Sequence, residues 1–333
     1  ITHSGADTVT AVDLGRLRAV LEKASPEALA TYPNHLGLSR RYVVKRIPVG
    51  SNPKGLAISP DGQWVFVAER LADRIALIDA EAMVKVDTLD LGGSPRETVL
   101  RRGEKLFNSA AASFQGQFSC RSCHPRNHVD GLQYDLEPDG LGQNILDNRT
   151  LLGIAGTAPF KWNGKNTSLH MQCGIRFARF LTRSTPFSPE DLSALVGFIG
   201  SLRQPSNRHR PRAEELTAAQ ARGKAIFERA TTLDGKPIPE RNRCVTCHPP
   251  PLFTDRKRAD VGTAADTDTV KEFDTPQLHN IYQSAPYLHD GRAATLEEIW
   301  TRFSPDDTHG VTSDLGKLGL NDLIEYLKTL GEN

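Results

Sequence analysis

The chain has 333 residues, 38% of them hydrophobic and 24% charged, a balance typical of a water-soluble globular protein with two or three domains. Its 41 basic residues nearly equal its 40 acidic residues, so no net field favours nucleic acid or an anionic membrane surface as a partner. No stretch approaches the roughly 18 to 20 apolar residues of a membrane helix, and the first residues lack the basic and apolar regions of a signal peptide. We therefore expect no membrane span, and a chain that is processed or whose start is missing.

The first 80 residues contain an internal repeat. Residues 1–13 align without a gap on residues 67–79, and both copies end in an alternating strand pattern. Between them, "IPVGSNPKGLAISPDGQWVFVA" predicts two strands joined by the turn "SPDG". The pattern resembles the YVTN or surface-layer type of β-propeller repeat, and the segment is long enough for about one and a half blades.

A propeller needs at least about four blades to close, so residues 1–95 predict an incomplete β-propeller. A missing segment or a companion chain would complete it. A helical insertion, "LGRLRAVLEKASPEALATYP", interrupts the first blade. The alternative for this region is a small β-meander packed on the next domain.

Beyond residue 95 the sequence predicts helices and long irregular loops, arranged as a second repeat. The matching pairs are "RRGEKLF" (101–107) with "ARGKAIF" (221–227), "CRSCHP" (120–125) with "CVTCHP" (244–249), and "TAPFKWNGKNTSL" (157–169) with "SAPYLHDGRAATL" (284–296). We predict two homologous, mainly α-helical domains, 96–210 and 211–333, joined near the polar stretch "RQPSNRHRPRAEEL".

Each of these domains contains a Cys-x-x-Cys-His motif, the attachment signature of c-type haem. The two thiols add to the haem vinyl groups, and the histidine binds the iron from the proximal side. We predict two covalently attached c-type haems, held by Cys120, Cys123, His124, Cys244, Cys247 and His248. A zinc site would pair two CxxC units across a loop of roughly 12 to 20 residues, and a thioredoxin-like motif would lie near a βαβ pattern. Neither context is present.

Four of the five cysteines are used in this way, and we expect the fifth, Cys173, to be a buried free thiol. Covalent attachment of haem takes place outside the cytoplasmic membrane in bacteria. The motifs therefore predict a bacterial extracytoplasmic protein, either periplasmic or on the cell surface.

Residues 96–333 resemble the di-haem bacterial cytochrome c peroxidase and MauG superfamily. The resemblance lies in "RRGEKLF", "FSCRSCHP" followed by "VDGL", "RTLLGIAGTAPFKWNGK", "RCVTCHPPPLFTD" and "FDTPQLHNIYQSAPYLHDGRAATLEE". The whole chain thus looks like a partial all-β propeller fused to two mainly α-helical cytochrome c-type domains.

The resemblance implies roles for several residues between the two haems. Trp162 takes the position of the tryptophan that relays electrons, with a plain core aromatic as the alternative. A calcium ion at the domain junction would be bound by Asp147 or Asn148, together with Asp274 and Pro276. Oxygen ligands of this kind suit calcium.

The chain also departs from the family pattern around the irons. The loop after the first motif has no histidine, the catalytic glutamate has no counterpart, and Phe303 stands at the position of the second distal methionine. His309, six residues further on, is the candidate for binding the second haem iron, with a surface loop histidine as the alternative. His170, Met171 and His128 compete for the first iron, unless that site is open; His128 suits a supporting role better because it lies about one turn from His124.

These observations favour a redox enzyme that passes electrons between two haems to peroxide or to another small, oxidisable substrate. A redox partner protein, such as a small cytochrome c or a cupredoxin, would exchange electrons with the second haem. The alternative is a non-catalytic di-haem electron-transfer protein with a propeller docking module. General acid and base groups typically contribute two to four powers of ten in rate, so the missing glutamate and histidine favour this alternative. A structural surface protein is the third hypothesis.

Overall fold

The computed structural model describes residues 1–35, 37–94, 96–137, 139–210, 215–304 and 306–331. The chain divides into two compact units. The first comprises residues 1–120 and 182–185, and the second comprises residues 121–181 and 186–333. Part of the predicted polar linker, residues 211–214, lies outside the described residues.

Within the described ranges, no helix combines the length and the apolar character needed to cross a membrane.

The first unit is built on two antiparallel sheets. Its strands are β1 (Thr2–His3), β2 (Thr8–Val12), β3 (Val43–Pro48), β4 (Pro53–Ile58), β5 (Trp64–Glu69), β6 (Arg74–Asp79) and β7 (Val84–Asp90). Strands β1 to β3 form one sheet in that order, and β4 to β7 form a four-stranded meander. Val9, Ile47, Val67, Ala76 and Ile78 form the buried core of these strands. All of them except Val9, which has the buried Thr10 beside it, alternate along their strands with more exposed neighbours.

Three α-helices lie in the described part of this unit: α1 (Leu14–Glu22), α2 (Pro26–Thr31) and α3 (Val99–Asn108). Four short 3-10 helices accompany them: Tyr32–Asn34, Leu38–Arg41, Ala110–Ala112 and Phe114–Gly116. Each α-helix begins where a polar side chain caps its first turn. Asp13 accepts from the Arg16 N–H, Ser25 accepts from the Ala28 N–H, and Thr98 accepts from the Arg101 N–H. Such caps satisfy backbone donors that have no partner inside the helix.

The partial β-propeller predicted for residues 1–95 was wrong. The described strands form small separate sheets, one of three and one of four strands, with no closed propeller. The repeat correctly indicates strands and turns, because alternation and "SPDG" are local signals. Closure depends on the number of sheets arranged around an axis, which a local pattern does not encode.

The second unit joins short elements through long irregular segments. Its helices are α4 (Cys120–Cys123, which starts at the boundary), α5 (Leu169–Cys173), α6 (Pro189–Ser201), α7 (Ala218–Glu228), α8 (Cys244–Cys247), α9 (Leu296–Glu298) and α10 (Lys317–Lys328). Two antiparallel ribbons pair β8 (Gln133–Tyr134) with β9 (Leu146–Asp147) and β10 (Arg258–Ala259) with β11 (Phe273–Asp274). Two separate, mainly helical domains were therefore also not the right description of this region.

The second sequence repeat nevertheless has a matching local structure. A bridge between Phe160 and Asn166 has its counterpart between Tyr287 and Ala293, 127 positions later. Ribbon β8–β9 likewise corresponds to ribbon β10–β11. The two halves thus repeat the same backbone geometry around their cysteine motifs.

The main apolar core of the second unit lies between α7 and α10. Leu323, Leu327 and Phe227 are almost completely buried there. The helices approach closely because α7 has a glycine at the contact: a Cβ atom on Gly223 would lie 1.9 Å from the carbonyl oxygen of Asp322. Arg222 pairs with the Asp322 carboxylate beside this contact, with a Nε to Oδ2 distance of 2.6 Å.

Candidate functional site

The second cysteine motif presents a histidine in a form suited to metal binding. His248 follows α8 and leaves the helix with φ −117° and ψ 60°. Its Nδ1 donates to the carbonyl oxygen of Phe253 at 2.8 Å, which fixes the ring and leaves the Nε2 lone pair for a metal. Burial lowers the pKa of His248, so the imidazole is neutral as a ligand must be.

His309 lies near enough to this histidine for their charges to interact, in the loop that follows the short π-helix Ile299–Phe303. Its carbonyl oxygen accepts from Trp300 Nε1 at 2.8 Å, and its N–H donates to Ser304 Oγ at 3.1 Å. Its Nδ1 is buried without a hydrogen-bond partner. Burial, and then the charge of His248, lowers the pKa of His309 to about 4.

The loop carrying His309 is attached directly to the second motif. The Val311 N–H donates to the Asn242 carbonyl at 3.3 Å, and Asn242 Nδ2 donates to the Asp307 carbonyl at 2.7 Å. A Cβ atom on Gly310, which has a φ of +83°, would lie 3.5 Å from Cys244 Sγ. These contacts bring His309, the residue that we predicted as a second iron ligand, to the motif. Phe303 instead packs against the guanidinium groups of two arginines.

The first motif has the same backbone geometry. His124 follows α4 with φ −117° and ψ 66° and is partly buried. Its Nδ1 has no hydrogen-bond partner, and burial lowers its pKa to about 4. Asn148 Nδ2 donates to the carbonyl oxygen of Cys123, which holds the motif against β9.

The residues of both motifs fit covalently attached haem. The four motif cysteines are not joined to one another in disulfides. Burial raises the pKa of Cys244 to about 11, so this cysteine is a protonated thiol at neutral pH. Both histidines are neutral, and the two motifs present them with almost the same backbone dihedrals. This donor set is the one that c-type haem requires.

The candidates for the first distal position are placed differently. His170 and Met171 lie on α5, are exposed, and line a cavity of about 390 Å³ together with Cys173, Arg176 and Leu192. His128 uses both ring nitrogens, one with Thr150 Oγ1 at 2.7 Å and the other with the Gln283 carbonyl at 3.0 Å. His128 therefore ties two parts of the unit together and offers no free nitrogen to iron.

Trp162 is fixed between the two halves of the repeat. Its Nε1 donates to the carbonyl oxygen of Asp147 at 2.8 Å, and its own carbonyl accepts from the Asp274 N–H at 2.6 Å. The guanidinium of Arg149 lies over the indole, with Cζ 5.0 Å from the ring centroid. Asn148, next to Asp147 in the chain, contacts Cys123, and the Pro276 carbonyl, two residues beyond Asp274, contacts His248.

The residues predicted to bind calcium lie around this tryptophan. Asp147, Asn148 and Asp274 each have one buried side-chain oxygen without a hydrogen-bond partner. Burial raises the pKa of Asp147 to about 7. The other oxygen of Asp274 pairs with Arg149 Nη1 at 2.6 Å. Unpartnered buried oxygens of this kind suit calcium, whose six to eight oxygen ligands also include backbone carbonyls and waters, so a calcium ion here stays a prediction.

The structure also shows polar pairs that the sequence did not indicate. Glu137 is held by Lys161 Nζ at 2.8 Å and by Arg176 Nη2 at 2.7 Å, and the Tyr134 hydroxyl donates to Asp130 beside Cys123. Among the described residues, no group of three or more His, Cys, Asp or Glu side chains could by itself hold a metal ion. The partners of Glu137 are distant in sequence, so only the spacing of Asp130 and Tyr134 could have been noticed beforehand.

Comparison with known proteins gives several relatives, although no protein-family model matches the chain. Hydrazine synthase subunit gamma of Kuenenia stuttgartiensis is 33% identical over 288 residues, which cover 71% of this chain and 78% of that protein. Methylamine utilization protein MauG of Methylorubrum extorquens is 27% identical over 235 residues, 59% of this chain and 66% of that protein. Hydrazine synthase subunit beta of Kuenenia stuttgartiensis is 30% identical over 74 residues, which cover 22% of this chain.

Solved structures agree with these relationships. A structure of Kuenenia stuttgartiensis hydrazine synthase superposes with a TM-score of 0.61 at 34% identity, covering 71% of this chain and 89% of that chain. A MauG-like protein associated with microbial copper homeostasis superposes with a TM-score of 0.52 at 20% identity, covering 74% and 92%, which shows a shared fold. The two motifs, their repeated geometry and a relative 33% identical over most of its length lead to one conclusion: the chain belongs to the superfamily of MauG and the di-haem peroxidases, together with hydrazine synthase subunit gamma.

Proposed function

We propose that this chain is an extracytoplasmic, peroxidase-like redox protein with two covalently attached c-type haems. Cys120, Cys123 and His124 would hold the first haem. Cys244, Cys247 and His248 would hold the second. Residues 96–210 would serve the first haem and residues 211–333 the second, because each range contains one motif and one copy of the repeat.

The observation that carries the proposal is the difference between the two histidine sites. His309 lies near enough to His248 for their charges to interact, and its Nδ1 has no hydrogen-bond partner. The histidine that interacts with His124 in the same way is His128, and both of its ring nitrogens are engaged by Thr150 and Gln283. Haem iron between two histidines transfers electrons, whereas iron with one protein ligand keeps a position for a small molecule. His248 and His309 would therefore hold the electron-transfer haem, and His124 the reactive one.

Trp162 lies on the route between these two sites. It is linked through Asp147 and Asn148 towards Cys123, and through Asp274 towards Pro276 and His248. These contacts support the relay position that the family resemblance implies. A redox partner protein, such as a small cytochrome c or a cupredoxin, would deliver electrons to the second site. A calcium ion held by Asp147 or Asn148, with Asp274 and Pro276, remains part of the proposal, and no step depends on it.

A second candidate function follows from the similarity to hydrazine synthase subunits. Similarity to both the gamma and the beta subunits of hydrazine synthase supports work on a small nitrogen compound within an assembly of several chains. The absence of the family's catalytic glutamate also supports this candidate, because the acid and base chemistry of that glutamate serves a peroxide substrate. The two candidates differ in the small molecule that reacts at the first haem site.

Electron paramagnetic resonance of the ferric protein, followed by titration with hydrogen peroxide, tests the main proposal. We expect one low-spin and one high-spin haem, with peroxide consuming the high-spin signal. His309→Ala should convert the low-spin signal to high spin, and His170→Ala, a control on exposed α5, should leave it unchanged. Two low-spin signals that peroxide does not alter would support a non-catalytic electron carrier instead. Hydrazine production from small nitrogen compounds would favour the second candidate.

A further inference from the structure

A fixed positive charge lies on the face of Trp162. The Cζ atom of Arg149 is 5.0 Å from the indole centroid, within the range of a cation–π contact. The same guanidinium pairs with Asp274, with 2.6 Å between Nη1 and Oδ2. The Asp274 side chain is fully buried, and that of Arg149 is only 20% exposed. The guanidinium therefore cannot leave the indole without abandoning a buried carboxylate, which is costly.

The edge of the indole is equally fixed. Nε1 donates to the carbonyl oxygen of Asp147 at 2.8 Å, and the Trp162 carbonyl accepts from the Asp274 N–H at 2.6 Å. A backbone carbonyl accepts a hydrogen bond but is far too weak a base to take the proton. The Nε1 proton of Trp162 therefore has no basic partner in this hydrogen bond.

These two contacts determine how readily the tryptophan gives up an electron. Oxidation removes one electron from the indole and leaves a cation, which normally becomes neutral by losing its Nε1 proton. Here the new positive charge would lie 5.0 Å from the Arg149 guanidinium, in a setting that screens charge less than water does. Asp274 offsets part of that charge, but the guanidinium is the group that contacts the ring. The carbonyl of Asp147 does not accept the proton that would have to leave.

We propose that Arg149 keeps Trp162 from being oxidised, so that electrons pass between the two haem sites across an indole that stays neutral. Each transfer oxidises one site by one electron and reduces the other by one electron, and Trp162 is unchanged. Arg149 is thus a positioning residue that sets the redox behaviour of its neighbour. The role of the indole as a bridge rests on the proposed function, whereas the effect of Arg149 on its oxidation does not.

Photochemical oxidation of the di-haem protein tests this directly and needs no peroxide. Photogenerated tris-bipyridine ruthenium(III) takes one electron from an accessible indole and becomes ruthenium(II), and radicals are then counted by electron paramagnetic resonance. Trp64, Trp300 and the tyrosines give a background, which Trp162→Phe defines. We expect the wild type and Arg149→Lys, which keeps the charge, to show no radical beyond that background. Arg149→Gln should show an added tryptophan radical, and the double variant Arg149→Gln/Trp162→Phe should lose it.

Two results would overturn the proposal: a wild-type radical that Trp162→Phe removes, or an Arg149→Gln spectrum identical to that of the double variant. Arg149→Leu is a second neutral variant if the glutamine variant does not fold, and the comparison of wild type with Trp162→Phe decides the matter even if neither folds. Failure of the proposed function has a separate signature, because the peroxide titration would then give no reaction while the photochemical result stands unaffected.

Discussion

At the scale of single residues, Glu137 shows how the fold brings opposite charges together. Its carboxylate side chain is 9% exposed and contacts Lys161 and Arg176 at 2.8 and 2.7 Å. Burial alone would raise the pKa of Glu137, but the hydrogen bond and charge of Lys161, with the charge of Arg176, bring it below the ordinary value of 4.5. A carboxylate whose pKa is lower in the folded state than in the unfolded chain stabilises the fold at neutral pH.

Glu137→Gln should therefore lower the free energy of unfolding at pH 7 by about 1 to 3 kcal/mol, since it leaves Lys161 partly buried beside a neutral amide. The folded-state pKa is depressed, so the contribution is complete above 4.5 and is lost as the pH falls through the folded-state value. Urea unfolding at pH 7 and at pH 3.5 to 4 measures this: the gap between wild type and variant should shrink at the lower pH.

A matched control is Glu272→Gln, which breaks an exposed ion pair with Arg258 at 3.6 Å and should cost less than about 0.5 kcal/mol. Equal losses in the two variants would contradict the role assigned to burial.

Glu137 also shows which contacts cannot be predicted from the sequence alone. Each haem motif is five consecutive residues, so its chemistry is evident from the sequence alone. The position of His309 was predicted from its distance along the chain to a family landmark, and its contacts with Asn242 and Cys244 came from the structure. Glu137, Lys161 and Arg176 are separated by 15 to 39 positions. No local period or spacing relates such residues, because only the folded chain determines which charges meet.

At the scale of elements, the contact between α7 and α10 depends on a single missing side chain. Helix propensity favours alanine over glycine, so Gly223 inside α7 is unfavourable for the isolated helix. The contact reverses this preference, because a Cβ atom would lie 1.9 Å from the Asp322 carbonyl oxygen and 2.8 Å from Tyr326 Cβ. Backbone atoms of α10 cannot move aside as a flexible side chain could, so packing decides the residue at this position.

Gly223→Ala should consequently destabilise the protein by about 3 kcal/mol, as overpacking of a well-filled contact does. The control is Gly200→Ala in α6, where nothing lies within 4 Å of the added Cβ atom. This change should be neutral or stabilise by up to about 1 kcal/mol through helix propensity. Thermal unfolding followed by circular dichroism separates the two. Similar midpoints for both variants would show that α7 and α10 separate easily.

At the scale of the whole molecule, the two sequence repeats differ in how well they predicted the structure. The strand repeat of residues 1–95 led to a propeller that the sheets do not form, because a blade pattern describes one sheet and not how many sheets surround an axis. The cysteine repeat has matching bridges and ribbons in both halves, since it fixes local geometry around two motifs. Two separate, mainly helical domains were the wrong description of residues 96–333, because the contacts between segments joined by long irregular loops cannot be read from the sequence.

The two motifs make a prediction about the intact chain that does not depend on its substrate. Mass spectrometry of the purified protein should show two covalent haems. Cys120→Ser/Cys123→Ser and Cys244→Ser/Cys247→Ser should each lose one haem and keep the other, because each motif has its own pair of cysteines and its own histidine. Cys173→Ser is the control: this cysteine lies on α5 outside both motifs, and its loss should leave both haems in place. A wild-type mass with one haem, or loss of a haem in the Cys173 variant, would contradict the assignment of the thiols. Loss of both haems from either double variant would instead mean that the second unit needs one haem to fold around the other, as proteins whose folding is coupled to a bound metal do.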